Sequence, residues 1–202
     1  MRDLIFLILA LTFTTITHEL AHGYVAYLNG DDTAKNAGRL TFNPIKHIDA
    51  SGLFFLIVFR FGWAKPVPID ERKFKNRRWG LFLVSIAGVL TNFLTASIAI
   101  FIMVLFYDKL GIYEDLFRYL AIYGLFFCVF NLIPIPPLDG SKVLASFLPI
   151  GFEYFIYKYE KFFYIPLTLF LFYNKDSGLI FSIVVRIFDT IVYFFINLLG
   201  FI

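Results

Sequence analysis

Apolar stretches long enough to cross a lipid bilayer recur along this chain, and they limit the structures that it can form. A membrane-spanning helix takes about 20 mostly apolar residues. Hydrophobic residues make up 59% of the 202 residues, and 28 residues are Phe, which lipid accepts on the outside of a helix. The candidate spans are residues 4–28, 79–107, 116–133, 152–173 and 179–201. The sequence therefore predicts an all-α polytopic membrane protein with about five transmembrane helices.

The segment between the first and second candidate spans has a different character. Residues 37–49 contain turns and short alternating apolar positions, which indicate extended pieces. Residues 53–61 are apolar except for Arg60, but they are too few to cross a bilayer as a helix. We expect a small re-entrant or extended segment here. We also expect a single domain over residues 1–202, in which residues 151–202 add further helices.

The first span contains the pattern H-E-x-x-H, formed by His18, Glu19 and His22. Two His residues four positions apart project from nearly the same face of a helix, so both imidazoles can bind one metal ion. The adjacent Glu19 can then act as a base toward a water molecule that the metal activates. Ionisable residues inside a span are costly and usually functional. The alternative is the solvated interfacial end of a helix, but the pattern favours a metal site.

A catalytic zinc ion takes three protein ligands and keeps one position open. Two His residues leave one ligand to find, and Asp139 is the best candidate because it follows the prolines that end the third span. Gly140 lets the chain leave helical geometry directly after it. By itself, Leu138-Asp139-Gly140 is equally an ordinary turn. Together with H-E-x-x-H, it predicts the third ligand of a metal site.

Four segments of this chain resemble the motifs of the site-2 protease family, the intramembrane zinc metalloproteases, in the same order along the sequence. They are residues 18–22, 43–49, 88–92 and 131–140. The resemblance implies one Zn²⁺ per chain, bound by His18, His22 and Asp139. Glu19 would be the catalytic carboxylate. It also implies an enzyme that hydrolyses peptide bonds within or near transmembrane segments of membrane proteins, as in regulated intramembrane proteolysis. The motifs lie within about residues 10–150.

Three further polar residues are candidates for contacts with the substrate or the oxyanion: Asn92, His47 and Asn131. The resemblance implies that Asn92 lies near the zinc. However, Gly88 and Asn92 on one span are equally typical of close helix packing with an interhelical hydrogen bond. His47 is also compatible with an interfacial His that bonds a turn. Asn131 is either a packing residue or a support for the turn that carries Asp139.

The charge pattern predicts the orientation in the membrane. The net charge is +3, and the loop between the first two spans holds most of the Lys and Arg, so it should face the cytoplasm and the N-terminus the outside. His18 then lies about 21 Å along the span, at about 1.5 Å per residue, near the cytoplasmic side. We expect a multi-pass protein of the cell membrane. Its expected partners are transmembrane protein substrates and the lipid bilayer, with no nucleic acid.

A non-enzymatic zinc-binding membrane protein, either a transporter or a pseudoprotease, is the alternative function. A transporter should place its ligands along a path through several spans. Here the candidate ligands concentrate at one site. Glu19 accompanies them, although a site that only binds metal would not need it. The sequence therefore favours the protease.

Overall fold

The computed structural model describes residues 1–49, 64–149 and 178–200, together with individual residues between 151 and 169. The predicted re-entrant segment at 53–61 lies outside the described residues. Most of the span predicted at 152–173 lies outside them as well. The fold is therefore described from three continuous parts of the chain.

The regular secondary structure of the described parts is helical, which confirms the predicted all-α class for them. The α-helices are α1 (Arg2–Leu28), α2 (Thr33–Asn36), α3 (Arg77–Leu105), α4 (Glu114–Asn131), α5 (Asp139–Phe147) and α6 (Leu179–Leu198). Short 3-10 turns cover Pro44–His47, Glu71–Lys73 and Gly111–Tyr113. An isolated antiparallel bridge joins Ile48 to Ala64. The described residues of the loop between α1 and α3 therefore include extended backbone but form no β-strand.

Local signals explain where α3 and α4 begin and end. The Asn76 side chain accepts the backbone N–H of Trp79 at 3.2 Å and caps the start of α3. Two carboxylates, Glu114 and Asp115, occupy the first turn of α4, where negative charge is favourable. The same helix ends at Asn131, shortly before the first proline of the following segment. The first and last residues of both helices lie close to the bounds predicted for the second and third spans.

Three of the described helices, α1, α3 and α6, are long and apolar enough to cross a membrane. α4 is shorter, carries Glu114, Asp115 and Arg118 in its first turns, and is not among the three. Large apolar side chains are exposed along the three helices, as lipid-facing surfaces require. Examples are Ile8, Phe13, Leu94, Ile98, Phe181 and Phe194. These helices support the interpretation of the chain as a polytopic membrane protein. The total of about five spans stays a prediction.

α3 is the central helix and packs against α1, α4, α5 and α6. Its contacts with α4 and α6 bury small and branched side chains, among them Ala96, Ala99, Ile100, Leu125 and Val184. Gly124 of α4 faces the backbone of α3, where an added Cβ would lie 2.9 Å from the carbonyl oxygen of Asn92. Glycine lets helices approach this closely. α4 is therefore held directly against the turn of α3 that carries Asn92.

Polar contacts at the end of α1 fix the loop that precedes α3. The fully buried Asp31 carboxylate accepts the backbone N–H of Thr33 at 3.0 Å and that of Asp70 at 2.7 Å. Lys73 donates to Asp32 at 2.7 Å, and this contact lowers the pKa of the Asp32 carboxyl below its usual range. These contacts tie the loop to the C-terminal end of the helix that carries H-E-x-x-H.

Candidate metal centre

α1 places the two imidazoles of H-E-x-x-H side by side on its buried face. The rings of His18 and His22 are perpendicular, with centroids 4.5 Å apart, and their Nε2 atoms are separated by 3.0 Å. Both side chains are buried. The four-residue spacing on one helix therefore aims both Nε2 atoms at the same point, as predicted from the pattern.

Asp139 is the first residue of α5 and reaches the same point from a different part of the chain. Its Oδ2 atom lies 3.2 Å from His18 Nε2 and 3.2 Å from His22 Nε2. The chain reverses between α4 and α5, and Gly140 lies at the tightest place. An added Cβ there would lie 2.3 Å from the carbonyl oxygen of Leu132, which is backbone and cannot move aside. Glycine at position 140 therefore permits the turn that delivers the carboxylate.

The three side chains fit a catalytic zinc ion. Their candidate ligand atoms all lie within 4.8 Å of one another. Ligands of a tetrahedral zinc at about 2.0–2.1 Å lie about 3.3 Å from each other, close to the separations found here. Asp139 Oδ2 is buried and forms no hydrogen bond within the described residues, as expected of an atom reserved for a metal. Two His and one Asp also leave one coordination position for a reactant.

Both imidazoles are held at their other ring nitrogen. His22 Nδ1 lies 2.7 Å from the backbone carbonyl oxygen of Val84 on α3. His18 Nδ1 lies 3.0 Å from the side-chain amide of Asn92, one of the candidate substrate residues. Asn92 is only 1% exposed and lies behind the His18 ring rather than at the face shared with Asp139. Such contacts fix the orientation of metal-binding His side chains.

Gly88 explains how α3 comes close enough to make these contacts. An added Cβ at this position would lie 2.5 Å from His22 Nε2 and 2.6 Å from His18 Cε1. The imidazoles therefore occupy the space of a missing side chain. The G-x-x-x-N pattern of α3 therefore combines close helix packing at Gly88 with an interhelical contact between Asn92 and His18. A role of Asn92 toward the zinc or the substrate stays a prediction.

Glu19 has its own backbone partner. Its Oε2 atom accepts the N–H of Val67 at 2.8 Å. Pro66 and Pro68 flank Val67 and have no N–H, so this is the one backbone donor of the three-residue run. The Val67 side chain packs over α1 near Gly23, where an added Cβ would lie 2.9 Å from Val67 Cγ1. Sequence reasoning missed this contact because a backbone donor has no residue-type signature.

His47 and Asn131 make other contacts. The buried His47 ring places Nε2 2.8 Å from the carbonyl oxygen of Thr41, and the His47 carbonyl accepts the N–H of Lys65 at 2.8 Å. His47 therefore braces the loop that leads to Val67. Asn131 donates to the carbonyl oxygen of Phe127 at 3.1 Å, within α4. A role for either residue in substrate binding stays a prediction.

An apolar cavity of about 530 Å³ opens between α1 and α3. On α1 it is lined by neighbours of the two His residues, including Thr17 and Ala21. The neighbours of Gly88 and Asn92 on α3, Ala87 and Thr91, line the opposite wall. Leu40 and Phe42 of the loop close one side. Apolar side chains could therefore be accommodated next to the candidate metal centre.

The buried cluster of His18, His22 and Asp139 lies within a bundle of apolar helices and could hold a metal ion. The sequence matches the model of the family described as Peptidase family M50 over residues 6–114 and 107–172, which is more than half of the chain. The chain therefore belongs to peptidase family M50. This finding confirms the resemblance to site-2 proteases.

Two curated relatives are similar to this chain. A Bacillus subtilis protein named "Putative zinc metalloprotease YwhC" is 43% identical over 154 residues, which cover 72% of this chain and 70% of that protein. A Mycolicibacterium smegmatis protein named "Putative zinc metalloprotease Rip2" is 29% identical over 138 residues, which cover 65% of this chain and 52% of that protein. No solved structure matches the chain significantly.

Gly88→Ala should weaken zinc binding, because the new methyl group would occupy the space of both imidazoles. We expect a fall in zinc affinity of at least about tenfold and a loss of stability of about 1–3 kcal/mol from overpacking. Zinc content and thermal unfolding of the purified protein measure both effects. Gly151→Ala is the control, since a Cβ there meets open space. Equal zinc affinity in Gly88→Ala and the wild type would contradict the prediction.

Proposed function

We propose that this protein uses His18, His22 and Asp139 to hold one zinc ion and hydrolyses peptide bonds within or near transmembrane segments of other membrane proteins. As a member of peptidase family M50, it is an intramembrane zinc metalloprotease. The observation that carries the proposal is the meeting of these three side chains inside an apolar bundle, with Glu19 adjacent. The names of both relatives agree with a zinc-dependent protease.

Zinc bound at this site would polarise the scissile carbonyl and lower the pKa of water to about 7. Glu19 is the base in our proposal. Its Oε2 is held by the Val67 N–H, and Oε1 has no hydrogen bond within the described residues, so Oε1 can take a proton from the attacking water and later deliver it to the leaving amine. Glu19 is half-buried, and the loop that carries Val67 covers part of the helix beside it.

The substrate must present an accessible peptide bond. A transmembrane helix hides its carbonyl groups in hydrogen bonds within the helix, so the substrate has to unwind locally before attack. The apolar cavity between α1 and α3 supports this proposal because it can receive apolar side chains next to the metal ligands. Membrane-protein substrates and the surrounding bilayer are thus the proposed partners.

We place the N-terminus outside the cell and the metal centre near the cytoplasmic side. The loop before α3 carries a concentration of positive charge at Lys65, Arg72, Lys73, Lys75, Arg77 and Arg78. The positive-inside rule puts such a loop in the cytoplasm. His18 and His22 lie in the half of α1 that ends at this loop, so water would enter from the cytoplasm.

The contact between Glu19 and Val67 also bears on the non-enzymatic alternative. A transporter or a pseudoprotease needs metal ligands but no separate carboxylate beside them. Glu19 is not part of the ligand cluster, and its carboxylate is nevertheless oriented by a dedicated backbone donor. This arrangement favours an enzyme with a fixed base.

Glu19→Gln should retain the fold and the zinc but lose proteolysis, because an amide cannot accept the proton of the attacking water. We expect activity to fall by about 10²-fold or more. The assay uses purified protein in proteoliposomes with single-span test substrates, with and without a zinc chelator. Asp139→Ala is the companion variant and should lose both zinc and cleavage. Activity of Glu19→Gln within about tenfold of the wild type would point to a different base.

Val67→Pro tests the hydrogen bond that orients the base. It removes the N–H that Glu19 accepts, and a misplaced catalytic group can cost about 10²-fold in rate. Zinc content should stay unchanged, since Val67 touches no ligand in the described contacts. Val67→Ala keeps the N–H and should retain most activity. If both variants lost activity equally, side-chain packing rather than the hydrogen bond would be responsible.

Cysteine labelling tests the orientation. In a Cys128→Ala background, a membrane-impermeant thiol probe should reach Lys75→Cys only from the cytoplasmic side and Lys109→Cys only from the outside. Both positions are exposed and lie at opposite ends of α3. Labelling with the reverse pattern would overturn the proposed orientation without affecting the proposed chemistry.

A further inference from the structure

The two imidazoles of the metal centre are held by different kinds of group. His22 Nδ1 faces the carbonyl oxygen of Val84 at 2.7 Å. A carbonyl can only accept, so Nδ1 carries the proton, and in the neutral ring Nε2 then keeps the lone pair that faces Asp139. His18 Nδ1 faces the amide of Asn92 at 3.0 Å, and an amide can donate through its nitrogen or accept through its oxygen.

The orientation of the Asn92 amide decides the tautomer of His18. If the nitrogen donates, Nδ1 must be the acceptor, and the proton of the neutral ring lies on Nε2. That proton would occupy the lone pair that a metal needs. If Oδ1 accepts instead, Nδ1 carries the proton and Nε2 is free. Zinc binding by His18 needs a free Nε2, so it requires the second orientation of the amide.

The surroundings of Asn92 allow the second orientation. As placed, Oδ1 is buried and pairs with no donor within the described residues. Turning the amide by about half a turn about its last torsion would exchange the contact of Nδ2 with His18 Nδ1 for a hydrogen bond from His18 Nδ1–H to Oδ1, and Oδ1 would lose no partner among the described residues. The backbone at this position is fixed, because Gly124 of α4 packs directly on the Asn92 carbonyl.

We propose that Asn92 is the positioning residue for His18: its Oδ1 accepts the Nδ1–H and selects the tautomer whose Nε2 binds zinc. This inference rests on the proposed zinc site and gives Asn92 a role behind the ligand rather than in contact with the substrate. It also explains the G-x-x-x-N pattern in one scheme. Gly88 makes room for both rings, and Asn92, one turn later, orients one of them.

Two variants of similar size separate this role from its alternatives. Asn92→Asp keeps an acceptor and removes the donor, whereas Asn92→Leu removes both. Zinc affinity of the purified protein is measured by competition with a chromophoric chelator, and the visible spectrum of the Co²⁺ form reports ligand geometry. Asn92→Asp should stay within a few fold of the wild type. Asn92→Leu should lose about 10–100-fold in zinc affinity and change the Co²⁺ spectrum.

Ser85→Ala is the matched control. Ser85 is also buried on α3, and its hydroxyl has no hydrogen-bond partner within the described residues. Its removal should leave zinc affinity and the Co²⁺ spectrum unchanged. Thermal unfolding of the metal-free proteins shows whether either Asn92 variant has lost its fold. If Asn92→Leu does not fold, Asn92→Asp decides the matter. Retained zinc affinity together with retained proteolysis supports the proposal, whereas retained zinc with lost proteolysis, or lost zinc affinity with an intact fold, overturns it.

The outcomes also separate this inference from the proposed function. If Asn92 donates to the substrate or the oxyanion, both variants keep zinc, and Asn92→Asp loses proteolysis. Wild-type zinc affinity in Asn92→Leu would overturn the positioning role while leaving the zinc protease intact. A wild-type protein that binds no zinc would overturn both.

Discussion

Two imidazoles and a carboxylate lie within 4.8 Å of one another inside an apolar bundle, where each polar atom without a partner costs several kcal/mol. The surrounding helices supply partners for these polar atoms. α3 supplies the Val84 carbonyl to one ring and the Asn92 amide to the other, and its Gly88 leaves the space that both rings fill. α5 brings the carboxylate that faces both. The same close packing of the helices therefore brings the three side chains together and provides their hydrogen-bond partners.

The loop between α1 and α3 makes a second set of contacts that position the candidate site. Its polar contacts with the end of α1, made through Asp31, hold it against that helix. The same loop presents the Val67 N–H to Glu19. The proposed base is thus oriented by the loop, while the proposed metal ligands are oriented by α3. Two different parts of the chain therefore set the relative position of Glu19 and the three candidate ligands.

Much of the fold and the site could be predicted from sequence. Helices α1, α3, α4 and α6 form at four of the apolar stretches predicted as spans, and α1, α3 and α6 are long and apolar enough to cross a membrane. The convergence of His18 and His22 follows from their four-residue spacing on a helix. The contacts that orient these groups could not be predicted. Val84 and Val67 act through backbone atoms. Any residue could supply the carbonyl at position 84, and any residue other than proline could supply the N–H at position 67. The position of Asn92 behind His18 depends on how two helices pack, which no local pattern specifies.

The order of the site along the chain has a consequence for biosynthesis. His18 and His22 enter the bilayer with the first helix, but Asp139 is translated only after α3 and α4. Until then the nascent chain has two of the three proposed ligands, although α3, which orients their rings, has already been translated. Gly140 packs against the Leu132 carbonyl, so Asp139 takes its position against residues that are translated before it. A chain that ends before α5 therefore lacks the third proposed ligand and cannot form the complete centre.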